Sequence, residues 1–300
     1  LSQILLTGAT GFIGRRLLAP GWRPLVRRPA GLAEECVGDL LDPASLARAC
    51  EGVEAVVHCA GEAEASRFND AARRVWEVNV TGTKNLLEAA GRAGVKRFVL
   101  LSSVKAMAEP GEACADEDWP AEPQTAYGRS KRAAEEVLWE ASTRWGLEGV
   151  VLRLPLVYGR GNRGNLWRMA DLIRRGRFPP LPEVGNRRSL VHVEDVVAAV
   201  RLVLDHPLAA GRTYFVADPK PYSSRELYDA IREALGMPPL RWAVPAAVFR
   251  FAARLSPHAA ETVDKLLGSA CYSPARIERE LGFRARVGLQ VGLREMLFPH

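Results

Sequence analysis

The stretch LLTGATGFIG, Leu5 to Gly14, constrains this chain more than any other. A short apolar run gives way to Gly8, Gly11 and Gly14, spaced three apart, and a helical pattern begins where they end. Glycines at such a point let the backbone turn tightly and approach a pyrophosphate, whose charge then sits against a helix N-terminus. Three glycines alone are a weak signal, because any tight turn uses them. The rest of the first half strengthens it. Ile4–Leu6, Ala55–Cys59, Arg97–Ser102 and Gly149–Leu154 read as buried strands, while Val80–Ala93 and Tyr127–Trp145 carry apolar residues at helical spacing. That alternation predicts a parallel sheet covered by helices on both faces.

The second half is less regular. Helices are expected at Asn165–Arg174, Val193–Leu204, Ser223–Leu235 and Pro274–Leu281, separated by proline- and glycine-rich connectors at 175–188 and 236–245. Ser223 and Glu226 have the spacing of a capping box. With 300 residues, 48% of them hydrophobic, one or two domains are expected. The net charge of +6 is spread over the whole chain among 35 acids, without a lysine-rich arm, so nucleic acid is not an expected partner. A phosphate-bearing substrate accounts for a few of the arginines more economically. No run of about eighteen apolar residues occurs and no leader pattern is present, so no membrane partner and a cytoplasmic location are expected. Cys36, Cys50, Cys59, Cys114 and Cys271 are odd in number and lack a C-x-x-C pair, which argues against a disulfide framework and against a zinc or other metal site. They read as buried small apolar residues.

Chemistry enters with TAYGRSK, where Tyr127 and Lys131 lie four apart at the start of a long helical pattern and so share a face. An ammonium beside a phenol favours the phenolate, which can then act as a base near neutral pH. Solvated helices carry such a pair too. Upstream, FVLLSS ends a strand at Ser102 and Ser103, where a hydroxyl could hold the same substrate oxygen. The glycine turn, the strand-end serine and Tyr-x-x-x-Lys, in that order, resemble the extended short-chain dehydrogenases/reductases. HCAG (58–61), NVTGTKNLLEAA (79–90), GDLLD (38–42), RLPLVYGRG (153–161) and RSLVHVEDV (188–196) extend the resemblance over about Ile4 to Leu204. On these motifs the chain is identified as a member of the NAD-dependent epimerase/dehydratase family, whose members act on nucleotide sugars. SSVKAMAE, NLWRMADLIRRG and NRRSLVHVEDV look most like the UDP-glucose 4-epimerase subgroup, which includes 4-ketoreductases of N-acetylated UDP-sugars.

The resemblance implies an α/β fold: a Rossmann-type doubly wound parallel sheet over residues 1–157, with 189–207 returning to it. It also implies a smaller C-terminal substrate-binding α/β region of 158–188 and 208–300. Tyr127 would be the acid/base, Ser103 would orient the sugar oxygen, and Lys131 would bind the nicotinamide ribose and depress the Tyr127 pKa. Cofactor-binding positions would be Gly8, Gly11, Phe12, Ile13 and Gly14 for the pyrophosphate, Asp39 and Leu40 for the adenine, and Cys59, Ala60 and Gly61 for ribose and pyrophosphate. Asn79 would support Lys131, and Pro155 would fix the carboxamide. Asn165 and Arg188 would bind the sugar-nucleotide diphosphate, although Asn165 could equally cap its helix and Arg188 could be a surface charge. A homodimer formed through the helices at 80–93 and 127–145 is also implied.

The implied reaction is NAD(P)-dependent hydride transfer at carbon 4 of a nucleoside-diphosphate sugar, as a 4-epimerase or a 4-ketoreductase. Family 4,6-dehydratases carry Asp-Glu after the hydroxyl residue; Val104 and Lys105 stand there instead, which disfavours dehydration. Two other readings stay open, a non-catalytic dinucleotide-binding member and a reductase of a non-sugar carbonyl. Two departures from the pattern matter. Arg27 and Arg28 replace the acid that usually binds the ribose hydroxyls, which leans the cofactor toward NADP. Only Arg15–Ala19 remain for the first crossover helix, so either that crossover is truncated or residues are missing between Leu18 and Gly21. The second is the favoured expectation, since a parallel crossover ordinarily takes about a dozen residues or more.

Overall fold

The structure, a computed structural model, describes residues 3–62, 69–120 and 122–298, without the side chains of residues 69–71. The chain runs β1 (Gln3–Thr7), α1 (Gly14–Leu17), β2 (Trp22–Val26), β3 (Cys36–Val37), α2 (Pro43–Ala49), β4 (Val53–His58), α3 (Asn69–Trp76), α4 (Gly82–Arg92), β5 (Arg97–Ser103), β6 (Cys114–Ala115), α5 (Ala126–Trp145) and β7 (Glu148–Leu154). It continues through β8 (Leu156–Tyr158), α6 (Asn165–Arg174), β9 (Leu190–His192), α7 (Val193–Asp205), β10 (Arg212–Phe215), α8 (Ser224–Ala234), α9 (Ala246–Ala253), α10 (Pro257–Leu267), β11 (Cys271–Tyr272), α11 (Ala275–Leu281) and α12 (Leu289–Leu297).

Seven strands form one sheet in the order β10-β7-β5-β4-β1-β2-β3, every pair parallel. Strand residues alternate between two cores, as a two-residue side-chain period requires. Leu5, Val56, Phe98, Leu100 and Val151 meet α2, α4 and α5 on one face. Leu6, Val57, Val99, Leu101 and Leu152 meet α1, α7 and α11 on the other. Burial on both faces explains why these strands read as continuous apolar runs. The order reverses between β1 and β4, and that switch point opens a crevice at the carboxyl ends of the strands. A third core gathers α6, α8, α9 and α12 with β8 and β9 in the C-terminal region. β10 completes the edge of the main sheet, although its residues fall within the 208–300 stretch assigned from sequence to the sugar-nucleotide region. The capping box at the start of α8 is present: Ser223 accepts from the Glu226 N–H, and Glu226 accepts from the Ser223 N–H.

The first crossover is short: residues 18–21 lead from α1 directly into β2. The Trp22 N–H donates to the Ala19 carbonyl at 3.1 Å, and the Ile4 N–H to the Gly21 carbonyl at 3.3 Å. Counted from strand to strand, residues 8–21 still supply the length a parallel crossover needs, with a single helical turn inside it. Trp22 and Leu17, both buried, pack on the α7 face where a longer helix would otherwise lie. One expectation, on the cysteines, is corrected. Cys114 and Cys271 face each other in register on β6 and β11 and form a disulfide, with Cα atoms 4.5 Å apart. Pairing over a sequence separation of 157 leaves no local spacing pattern from which it could be read.

One buried ion pair ties α5 to β7 beneath the crevice. Arg153 donates to Glu135 at 2.7 and 3.0 Å, Ser102 donates to the same carboxylate, and both charged side chains are at most 6% exposed. Removing one partner of such a pair strands the other charge in a dry site, typically at a cost of about 3–5 kcal/mol. Arg153→Met is therefore expected to lower the urea unfolding free energy by roughly that amount. An unchanged denaturation midpoint would show that Glu135 finds other compensation.

Candidate active site

Local chemistry places the site at the switch point. Gly8 has φ +69, and a Cβ there would lie 2.7 Å from the Ala60 backbone nitrogen. A Cβ on Gly14 would come within 2.1 Å of the Gly8 carbonyl oxygen, so only glycine fits either position. The Gly11 N–H donates to that carbonyl at 2.9 Å, which closes the turn through Phe12 and Ile13. The ends of β1 and β4 are thereby pressed together, with Cys59, Ala60 and Gly61 beside the turn. His58 holds them in place: its ring nitrogens meet the Thr7 hydroxyl at 2.6 Å and the Thr83 hydroxyl of α4 at 2.9 Å. Burial, with the Lys131 charge adding to it, brings the His58 pKa down to about 3, so this imidazole is a neutral strut.

Asn79 lies in a π-helical turn, Glu77–Thr81, that leads into α4. Its side chain accepts from the Glu62 N–H at 2.8 Å, donates to the Glu62 carbonyl at 3.0 Å, and donates to the Ser130 hydroxyl at 3.0 Å. Ser130 in turn donates to the Tyr127 carbonyl at 2.7 Å. A Cβ on Gly61 would stand 3.2 Å from Asn79 Oδ1 and 3.8 Å from Lys131 Nζ, so these three residues are neighbours. Thr125 caps α5 by accepting from the Gly128 N–H at 2.9 Å, which fixes the turn that carries Tyr127. Tyr127 and Ser103 are neighbours, and the serine hydroxyl draws the phenol pKa down.

Electrostatics at the site are dominated by burial. Lys131 is buried, donates to the Leu101 carbonyl at 2.7 Å, and has its pKa brought down to about 8 by desolvation, against the opposing pull of Glu135 and Cys59. Burial holds the Tyr127 phenol above its ordinary pKa, with the Ser103 hydroxyl acting the other way. This direction is opposite to the one expected from sequence, because Lys131 directs its ammonium at Leu101. Cys59 is pushed up to about 12 by burial, so it stays a thiol.

The remaining candidates are distributed as follows. Arg27 and Arg28 are exposed just beyond β2, and Asp39 and Leu40 follow β3. Asp39 accepts from the Leu41 N–H at 2.9 Å, and Leu40 is held by Asn85, which donates to its carbonyl at 3.0 Å. Pro155 is buried directly after β7. Asn165 is exposed in the first turn of α6. Arg188 donates to the Gly268 carbonyl at 2.7 Å, and burial lowers its pKa. Near it opens a polar cleft of about 900 Å³ lined by Glu109, Glu112, Arg187, Arg250 and Asp264 among others. Sequence reasoning missed Ser130, Glu135 and Arg153; of these only Ser130 could have been found, from its place between Tyr127 and Lys131 on one helix.

The NAD dependent epimerase/dehydratase family model matches residues 4–217. A UDP-glucose 4-epimerase of Vibrio cholerae is 31% identical, over 98% of this chain and 94% of that protein. A 3 beta-hydroxysteroid dehydrogenase/Delta 5-->4-isomerase of Mycobacterium tuberculosis is 29% identical, over 99% of this chain and 90% of that protein. Among solved structures, the Thermus thermophilus UDP-glucose 4-epimerase in complex with NAD is 28% identical. It superposes with a TM-score of 0.74 over 98% of this chain and 97% of that one.

The Lys131 pKa has a measurable consequence. Below about pH 8 the folded protein holds a buried ammonium at a cost the unfolded chain does not bear. As pH rises from about 8 toward the ordinary lysine value the unfolded chain binds the extra proton, so stability gains. Cofactor-free protein is expected to grow more stable to urea across that window. Lys131→Met should flatten the rise, and a rise of equal size in the variant would assign it to another group.

Proposed function

The chain belongs to the NAD-dependent epimerase/dehydratase family, and on that premise we propose that it carries out hydride transfer at carbon 4 of a nucleoside-diphosphate sugar. The product would be the 4-epimer or the reduced 4-keto sugar. The observation that carries this reading is the neighbouring Ser103–Tyr127 pair at the carboxyl end of β5, with the buried ammonium of Lys131 one helical turn further along α5. The glycine turn suits a dinucleotide, since backbone packs on backbone at Gly8 and Gly14 with no side chain between and the turn leads from β1 into α1 at the switch point.

When bound, the nicotinamide takes up or releases the hydride, and the protein supplies geometry and the proton. Ser103 Oγ and Tyr127 Oη hold the same sugar oxygen between them, and Tyr127 Oη accepts its proton as the carbonyl forms. The Lys131 ammonium has three N–H donors, of which one is used at Leu101, so two remain for the ribose and for Tyr127 Oη. Turning one toward the phenol would reverse the upward pull of burial on Tyr127. Asn79 and Ser130 fix the helical turn on which these atoms sit. Arg188 and Arg187 flank the polar cleft and suit the diphosphate by charge and by planar geometry. Arg27 and Arg28 would receive a 2′-phosphate, which favours NADP.

A second reading, reduction of a non-sugar carbonyl or, in reverse, oxidation of the corresponding hydroxyl, is favoured by the similarity to the mycobacterial steroid dehydrogenase over 99% of this chain. Purified protein should be incubated with UDP-glucose, UDP-N-acetylglucosamine, a UDP-4-keto sugar and a 3β-hydroxysteroid, with and without added NAD(H) or NADP(H). Exchange of C4 epimers without net cofactor change marks an epimerase, and one reduced cofactor consumed per keto sugar marks a ketoreductase. Turnover of the steroid alone would replace the sugar reading. Tyr127→Phe is expected to lower turnover by about 10²–10⁴ while leaving the cofactor Kd unchanged. A tighter Kd for NADP than for NAD, lost in Arg27→Asp with Arg28→Ser, checks the cofactor preference; equal values would remove it.

A further inference from the structure

The disulfide stands at one end of the polar cleft, and the hydride-transfer chemistry makes no use of it. Cys114 follows a segment, 109–113, from which Glu109, Gly111 and Glu112 line the cleft. Cys271 follows another, 268–270, from which Gly268 and Ser269 line it. That second segment carries the arginines read as diphosphate ligands: the Gly268 carbonyl accepts from Arg188 at 2.7 Å, and Ser269 Oγ accepts from the Arg187 N–H at 3.1 Å. The Ala270 N–H completes the support by donating to the Arg187 carbonyl at 2.7 Å. The spacing of the two segments therefore sets how far those arginines stand from the wall built by Glu109 and Glu112.

The seam between them is held unevenly. Away from the cleft, Ala115 and Tyr272 are buried against Phe215, the Ser273 N–H donates to the Ala115 carbonyl at 2.9 Å, and Arg276 forms ion pairs with Glu117 and Asp118. Toward the cleft, an exposed hydrogen bond from the Arg187 guanidinium to the Glu112 carbonyl spans the segments, in competition with water. β6 and β11 are only two residues long, so the cleft end depends on the bond between Cys114 and Cys271. Access to that bond is one-sided: Cys114 is exposed and Cys271 is fully buried.

We propose that the Cys114–Cys271 disulfide is a redox control on the cleft, a role that rests on the reading of this cleft as the diphosphate site. When formed, the bond holds the two segments at the spacing that accepts a diphosphate; when reduced, it lets them part. A thiolate of a small dithiol attacks Cys114 Sγ, the Sγ–Sγ bond breaks, and its electron pair leaves on Cys271, which takes up a proton. The second thiol of the reagent then displaces Cys114 as a thiol, so the dithiol is oxidised to its own disulfide as two protein thiols form. Exchange with a disulfide reagent runs the same steps in reverse. The dinucleotide turn at Gly8–Gly14 shares no residue with either segment, so its affinity is independent of this bond.

The test compares the intact protein in its oxidised form, after dithiothreitol, and as Cys114→Ser. Thiol titration should count three free cysteines before reduction and five after it. By calorimetry, UDP is expected to bind the reduced form about tenfold more weakly, through lost preorganisation, with the NAD Kd unchanged. Amide exchange should quicken at 109–116 and 268–273 and stay as it was elsewhere. Cys114→Ser should behave as the reduced form and ignore dithiothreitol, and glutathione disulfide should restore the wild type alone. Equal UDP Kd values in the two forms overturn the proposal, as does a disulfide that the native protein never yields to the dithiol. Loss of NAD binding on reduction would also overturn it, by making the bond a support of the whole fold. If neither form binds UDP, the diphosphate reading falls; unchanged exchange would then overturn the redox control as well, and quickened exchange confined to the two segments would support it.

Discussion

Backbone meets backbone at Gly8, and the rest of the site is arranged around that contact. A single added carbon would strike the chain between Cys59 and Ala60, so the ends of β1 and β4 can close only without a side chain between them. Once closed, they fix where Gly61 stands, and Gly61 fixes the distance to Asn79 and Lys131. His58, Thr7 and Thr83 then hold the same junction from within by hydrogen bonds that leave water out. The crevice at the switch point is thus a product of strand-end packing, with the loops free to vary around it.

Low polarity beneath that crevice sets the charge state of every group in it. His58 is kept neutral, Cys59 stays a thiol, Tyr127 stays a phenol and Lys131 loosens its proton, all for the same reason. The Glu135–Arg153 pair is tolerated there because each side chain satisfies the other and Ser102 adds a further donor. Glu135 stands within electrostatic reach of Lys131 and pulls its pKa upward against desolvation. A site of this kind gains leverage over proton transfer, because a small displacement of one ammonium changes a neighbour's ionisation more in a dry pocket than it would in water.

What could be read from the sequence was whatever chemistry writes within a few residues. The glycine turn, the strand-end Ser103, the Tyr127–Lys131 spacing and the Ser223–Glu226 cap are local patterns, and the structure places each on the expected kind of element. Alternation of strands and helices announced the parallel sheet for the same reason. Contacts between distant positions left no such trace. Glu135 and Arg153 look like ordinary charges on a helix and a strand, and nothing near Cys114 points to Cys271. Arg188 was legible as a cation but not as a donor to Gly268, eighty positions away. The shortened first crossover was visible as an anomaly; that one turn of helix and Trp22 suffice to cover the sheet there is a matter of volume, which spacing does not report.

The disulfide has a consequence for the order in which the molecule is made. Cys271 lies beyond every strand of the main sheet, 157 positions after Cys114. During synthesis the amino-terminal strands emerge and begin to pair long before it is available. The covalent tie between β6 and β11 therefore cannot guide the search for the fold, and acts as a latch closed on a molecule already assembled. A nascent chain stays open at that seam until Cys271 emerges, and the surroundings of the finished protein decide whether the latch is ever shut.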